Sequence, residues 1–346
     1  MASEMSGWTP PPEWRRVTTI DAHTAGEPLR ILVDGYPSLP GDTILERRRF
    51  LSQNADDLRT SLMWEPRGHP DMYGCIITAA ESPESDFGVL FLHNEGYSTM
   101  CGHGIIAVAT VAVETGLVGN SAGPETTIRI DTPAGPVTAF VNTEGEGIGP
   151  VAFENVPSWV VSLAQTVKVP GLGAVTYDLA FGGAYYAYVN AEDVGLRCHP
   201  AETRALIDAG SAIKQAVMSH AAIEHPFEPE LGFLYGTIFV GPPEEEGSHS
   251  RNVCVFADGE VDRSPTGTGV SGRIAIHLAR GEVQLGETIH IESIIGSRFS
   301  VQATKRVPYG PHDAVIPRVE GQAFITGRHE FLIDPSDPFR EGFLLR

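Results

Sequence analysis

Two stretches of this chain follow one plan, and that repetition limits the folds open to it more than any other feature. Met100-Cys101-Gly102-His103-Gly104 leads into IIAVATVAVET and Gly116, while Pro265-Thr266-Gly267-Thr268-Gly269 leads into VSGRIAIHLAR and Gly281. Cys101 and Thr266 stand 165 positions apart, as do Gly116 and Gly281. Each copy reads as a Gly-x-Gly turn, a largely apolar helix and a glycine suited to the helix C-terminus. Downstream, TIRID at 127–131 matches TIHIE at 288–292, and Gly135 and Gly296 keep the same spacing of 161. Upstream, His23-Thr24-Ala25-Gly26-Glu27 precedes LRILV, and Phe181-Gly182-Gly183 precedes AYYAYV. The period is far longer than the roughly 20–50 residues of a solenoid repeat, so the chain is expected to hold two copies of one unit.

Most of the remaining sequence reads as short strands separated by turns rich in Gly, Pro, Asn and Asp, among them VTTIDAH, GVLFLH, PVTAFV, GTIFV, NVCVFA and FSVQA. The helix after Cys101 is apolar almost all round from Ile105 to Val113, which predicts a helix wrapped by a curved sheet. A second helical stretch, ETRALIDAGSAIKQAVMSH, is amphipathic and is expected on the outside of the second copy. The whole predicts a mixed α/β (α+β) fold of two pseudo-symmetric halves, each with a curved, mostly antiparallel sheet around a central helix. A length of 346 residues suits two domains at about 150 residues each. The expected division is 15–155 with about 329–346 in a first half and 156–328 in a second, with a cleft between them.

A Gly-x-Gly turn that opens a helix leaves backbone N–H groups without intrahelical partners, and the helix dipole favours an anion there. If the two turns face each other, both helix N-termini grip one carboxylate, and its α-carbon lies between Cys101 and Thr266. The same N-termini are expected to lower the Cys101 thiol from about 8.5 toward neutrality and make its thiolate a base.

Composition removes several other readings. With 24 basic and 44 acidic side chains the formal charge is −20, the reverse of a phosphate-tracking nucleic-acid binder. No apolar run approaches about 18 residues, so no membrane span is expected. The opening MASEMSGWTPPPEWRR lacks a signal-peptide core, and a cytoplasmic protein is expected. Cys75, Cys101, Cys198 and Cys254 are scattered with no metal-ligand spacing and read as reduced thiols, with Cys75 and Cys254 as buried apolar groups. The Gly turns lack the lysine of a phosphate-binding loop and a complete GxGxxG.

MCGHG and DRSPTGTG resemble the paired signatures of the family of proline racemases, hydroxyproline 2-epimerases and trans-3-hydroxy-L-proline dehydratases. So do DAHTAGEPLRI (21–31), EPRGHPDMYG (65–74) and AFGGAYYAYV (180–189), and the resemblance runs from about residue 15 to the end of the sequence. It implies a diaminopimelate-epimerase-like fold, no cofactor and no metal, and a homodimer. Where the racemases use two catalytic cysteines, the first position falls on Cys101 and the second on Thr266. Family substrate contacts fall on Gly102 and His103, on Asp262, and on Gly267 and Thr268. By that resemblance Asp262 accepts from the substrate's secondary ammonium. His23, His69 and His93 lie in family-like loops but are not expected to touch substrate.

A threonine hydroxyl is no thiolate-like base near neutral pH, so the Cys/Thr pairing resembles the dehydratase branch. The expected reaction is dehydration of trans-3-hydroxy-L-proline to 1-pyrroline-2-carboxylate. The rivals are a 4-hydroxyproline 2-epimerase or proline racemase, and a binding protein that kept the fold without its chemistry.

Overall fold

The computed structural model describes residues 7–119, 123–145 and 147–345. Those residues form a mixed α/β structure with eighteen mostly antiparallel strands joined in one connected sheet system. Five α-helices accompany them: α1 (Ile44–Asn54), α2 (Asp56–Met63), α3 (Gly102–Glu114), α4 (Thr203–His220) and α5 (Gly267–Arg280).

The duplication appears as a matched set of crossovers. Parallel strands cannot be joined by a tight hairpin and need a long connection, usually helical. Glu27–Asp34 pairs parallel with Gly74–Thr78 across α1 and α2, and Tyr185–Asn190 pairs parallel with Leu234–Gly241 across α4. Phe87–Leu92 pairs parallel with Glu125–Thr132 across α3, and Ser250–Phe256 pairs parallel with Ile289–Glu292 across α5. Even the local chemistry repeats. The Asp131 carboxylate accepts from the amides of Glu81 and Ser82 at 2.7 and 2.9 Å. The matching Glu292 carboxylate accepts from the amides of Glu244 and Glu245 at 3.0 and 2.8 Å.

Helix α3 is buried from Gly102 to Val113, as its apolar composition requires. It packs on Arg15–Thr24, Gly135–Asn142, Val151–Glu154 and Ala323–Ile333. Ile105 and Ile106 are inaccessible to solvent, and truncating either to alanine costs about 2–5 kcal/mol. Helix α5 is enclosed in the same way by Trp159–Val169, Gly173–Phe181, Arg298–Tyr309 and His312–Gly321. Both helices end at a glycine in the left-handed region, Gly116 at φ 75° and Gly281 at φ 71°. Helix α4 buries Leu206, Ala209, Gly210, Ile213 and Val217 along one face, against Leu234–Gly241. The end of the chain returns to its beginning: Ala323–Ile333 pairs antiparallel with Arg15–Thr24, from Thr24 opposite Ala323 to Arg15 opposite Ile333.

Candidate active site

The first turns of α3 and α5 meet at a small cavity. Cys101, Gly102 and His103 line it from one helix start, and Asp262, Thr266, Gly267 and Thr268 from the other. All seven residues singled out in the sequence therefore face one space.

Cys101 is the N-cap of α3, in extended backbone, and its Sγ accepts from the Gly104 amide at 3.2 Å. The His103 ring approaches Sγ through Nδ1 at 3.2 Å. Burial pushes the His103 ring down to about 3, so it is neutral at physiological pH, and it also hydrogen-bonds the Pro28 carbonyl. With one ring nitrogen donating to that carbonyl, the tautomer assigned from the network leaves the other to accept toward the thiol. The helix start does not lower the thiol as expected. Burial holds Cys101 well above its ordinary value, and the Asp262 and Glu27 carboxylates push in the same direction. The Gly104 amide and the Tyr73 hydroxyl oppose burial with smaller effect, although the amide outweighs either carboxylate. A helix terminus contributes about 0.3–2 kcal/mol, which is less than the desolvation of a fully enclosed thiolate beside two carboxylates.

The second helix start is built differently. Thr266 occupies the capping position of α5 with φ 68°, a strained value for a β-branched residue. Its hydroxyl lies near the Asp262 carboxylate and the Cys254 thiol but is buried without a hydrogen bond of normal geometry. Asp262 accepts from the Ser264 amide at 2.7 Å. Burial pushes its carboxyl up to about 6, against the Ser264 hydrogen bonds and the nearby Thr266 hydroxyl, which favour the charged form. The Thr268 hydroxyl bonds the Tyr186 hydroxyl at 2.7 Å. Cys254 is a buried thiol behind Thr266 and, like Cys75, does not line the cavity.

Apart from Met100, which opens the MCGHG motif, sequence reasoning did not single out the rest of the wall. Tyr73, Met100, Tyr186, Tyr235 and Phe256 close the cavity. The Tyr73 hydroxyl bonds Ser98 Oγ at 2.6 Å and lies 3.4 Å from the Tyr235 hydroxyl. Tyr73 and Tyr186 sit in segments already marked by their resemblance, which was the available signal. Tyr235 and Phe256 come from strands with no such mark. Also missed were carboxylates that tie the Asp262 loop to residues early in the chain. Glu27 accepts the Arg263 amide at 2.6 Å, Asp71 takes the Arg263 guanidinium at 2.9 Å, and Glu260 accepts the Asn94 amide at 2.7 Å. His23, His69 and His93 lie outside the cavity wall, although His93 packs on Tyr73 and Tyr235 behind it.

The chain is 48% identical over its whole length to a trans-3-hydroxy-L-proline dehydratase of Colwellia psychrerythraea, of which it covers 98%. It is 46% identical, over 96% of its length and 99% of the relative, to a 3-hydroxyproline 2-epimerase of Burkholderia multivorans. A crystal structure of a hydroxyproline epimerase from Agrobacterium vitis, with trans-4-hydroxy-L-proline bound, superposes with a TM-score of 0.91 at 30% identity. That match covers 97% of this chain and 96% of the other. The proline racemase family model matches residues 19–344, and with a duplicated fold that seats Cys101 and Thr266 at the two helix starts of one cavity, the chain belongs to the proline racemase family.

Proposed function

We propose that the protein removes water from trans-3-hydroxy-L-proline, giving 1-pyrroline-2-carboxylate. The observation that carries this reading is the pairing at the cavity: a cysteine at one helix start and a threonine at the other, so only one face of the substrate meets a thiol. The dehydratase relative supports it at high identity.

The amides at the starts of α3 and α5 receive the substrate carboxylate. Asp262 accepts from the ring ammonium, and that cation offsets the negative field that raises the Cys101 thiol. In trans-3-hydroxy-L-proline the hydroxyl and carboxylate lie on opposite ring faces, so the α-hydrogen and hydroxyl share the other face. Cys101 as thiolate takes the α-proton. The Cα–H electron pair becomes the Cα–Cβ double bond, and the C3–O bond breaks. The departing hydroxide leaves as water, protonated on the same face by the newly formed thiol, directly or relayed through the His103 nitrogen that faces it. The enamine then tautomerises to 1-pyrroline-2-carboxylate. Thr266 takes no proton in this scheme.

The competing reading is epimerisation, the activity named for the Burkholderia multivorans relative. It needs a proton donor on the Thr266 face. Proton NMR in D₂O with trans-3-hydroxy-L-proline, trans-4-hydroxy-L-proline and L-proline separates the two. Dehydration consumes the 3-hydroxy compound and leaves the other two chemically unchanged. Deuterium at Cα with inverted configuration and an intact hydroxyl establishes epimerisation instead.

The proposal extends to the setting of the enzyme. The chain divides near residue 155, with the returning segment grouped with the first half, and it works in the cytoplasm as a homodimer. Its four cysteines are free, in keeping with a reducing compartment. Among the described residues no helix is long and apolar enough to cross a membrane. Light scattering of the purified protein reads the dimer directly.

A further inference from the structure

A second cavity opens beside the C-terminal half of α5. Arg273 lines it together with His277, Arg280, Asp178 and Tyr188. Arg273 is 5% exposed, and no carboxylate among the described residues forms an ion pair with it. The other buried arginines are satisfied differently. Arg251 pairs with Glu292 and Glu244 at 2.8 and 2.7 Å, Arg59 with Asp56 at 2.6 Å and Arg30 with Asp21 at 3.0 Å. Arg47 has no carboxylate, but its guanidinium donates to the carbonyls of Gly41 and Ala79. Arg273 alone among these has a single acceptor, Asn252 Oδ1 at 2.6 Å, for a fork of five N–H groups.

A buried charge without a partner is costly, and proteins keep one where it has a use. The fold does not demand an arginine here. At the matching position of α3, 165 residues earlier, stands Val108, wholly buried and apolar. His277 and Arg280 correspond likewise to Ala112 and Thr115. Burial lowers the Arg273 guanidinium to about 10, so it remains charged at physiological pH, and the Glu282 carboxylate that acts on it from a distance is engaged by His277.

We propose that this cavity is a binding site for a small oxyanion, a carboxylate or inorganic phosphate, held by the Arg273 guanidinium. The planar fork matches two oxygens of such an anion, and Asn252 fixes its orientation from behind. Asp178 does not compete for Arg273, because its carboxylate is engaged by Arg280 at 2.8 Å and by the Ala164 amide at 2.9 Å. Asp178 and Asp193 also line the cavity and select against highly charged ligands, so a monoanion or dianion is preferred to a polyphosphate. Asn252 also donates to the Pro265 carbonyl at 3.2 Å, one residue before Thr266, so the site abuts the catalytic turn without sharing its cavity.

The test is calorimetric titration of the full-length protein with sodium phosphate and with sodium acetate, at constant ionic strength in chloride. Wild type is expected to bind at least one of the two, and Arg273→Met to bind it at least tenfold more weakly. Whichever anion binds more tightly identifies the source of the oxyanion. Acetate taken up at the Cys101 cavity appears equally in both proteins and cancels. Identical isotherms for the two proteins, or no heat from wild type with either anion, overturn the proposal. Should Arg273→Met fail to fold, wild-type crystals soaked in selenate supply the answer. An anomalous peak beside Arg273 sustains the site, and its absence rejects it. Neither readout depends on turnover, so the outcome is independent of the proposed dehydration.

Discussion

The backbone of Gly102 lies so close to that of Gly267 that a β-carbon on Gly102 would stand 2.5 Å from the Gly267 Cα, and one on Gly267 would stand 2.6 Å from the Gly102 Cα. The two helix starts touch through the only residue type without a side chain, which lets both sets of amides face one cavity. Gly267→Ala forces backbone apart from backbone. The expected result is a loss of about 1–3 kcal/mol in urea unfolding and of at least about a hundredfold in turnover. A variant with near-normal turnover would mean that the catalytic geometry does not depend on this contact.

Cys101→Ser tests the base. The serine hydroxyl has the shape of the thiol but not its acidity. Turnover is expected to fall on the order of 10²–10⁴-fold with an unchanged circular dichroism spectrum. Turnover within tenfold of wild type assigns the base elsewhere.

Thr266→Ala is expected to act in the opposite way. A hydroxyl that takes no proton is dispensable for the chemical step, so dehydration should stay within about tenfold of wild type. The strained φ of 68° remains with either residue. A loss as large as that of Cys101→Ser sinks the single-base mechanism.

The pH dependence of stability tests the burial of Asp262. Its folded-state carboxyl, raised to about 6 from an ordinary 3.8, holds a proton more tightly than the unfolded chain does. This contribution is therefore fully present below about pH 4 and lost as the pH rises through 6. At about 1.4 kcal/mol per unit, the loss is on the order of 3 kcal/mol. Glu27, also raised by burial, adds a loss of the same sign. Urea unfolding between pH 4 and 7 should show wild type losing that much more stability than Asp262→Asn. Parallel curves for the two proteins would show that Asp262 titrates like an exposed carboxylate.

What was legible in the sequence was whatever is written locally and twice. The Gly-x-Gly starts, the apolar run after Cys101 and the spacing of 165 placed Cys101 and Thr266 at equivalent positions, and the structure puts both on one cavity. The state of the Cys101 thiol was not legible. A helix start is visible in a motif, but the burial that outweighs it, and the Asp262 and Glu27 carboxylates that add to burial, come from distant parts of the chain. Tyr235 and Phe256 reach the cavity wall from the register of neighbouring strands, with Gly236 opposite Phe256, and no local pattern announces such a meeting. Arg273 was passed over because a lone arginine in a helix signals nothing until its lack of a counter-ion is seen.

The pairing of Arg15–Thr24 with Ala323–Ile333 has a consequence for the order of events on the ribosome. The strand that begins the sheet is made early, and the neighbour that covers its far edge is among the last segments made. At about 5–20 residues per second that edge waits for tens of seconds. Helix α5 and its strands have by then emerged, so the later-made copy of the duplicated unit can finish before the earlier one. Nascent chains stalled with residue 322 outside the ribosomal tunnel and Ala323–Ile333 still inside it should accordingly protect α5 from protease while leaving Arg15–Thr24 open to cleavage.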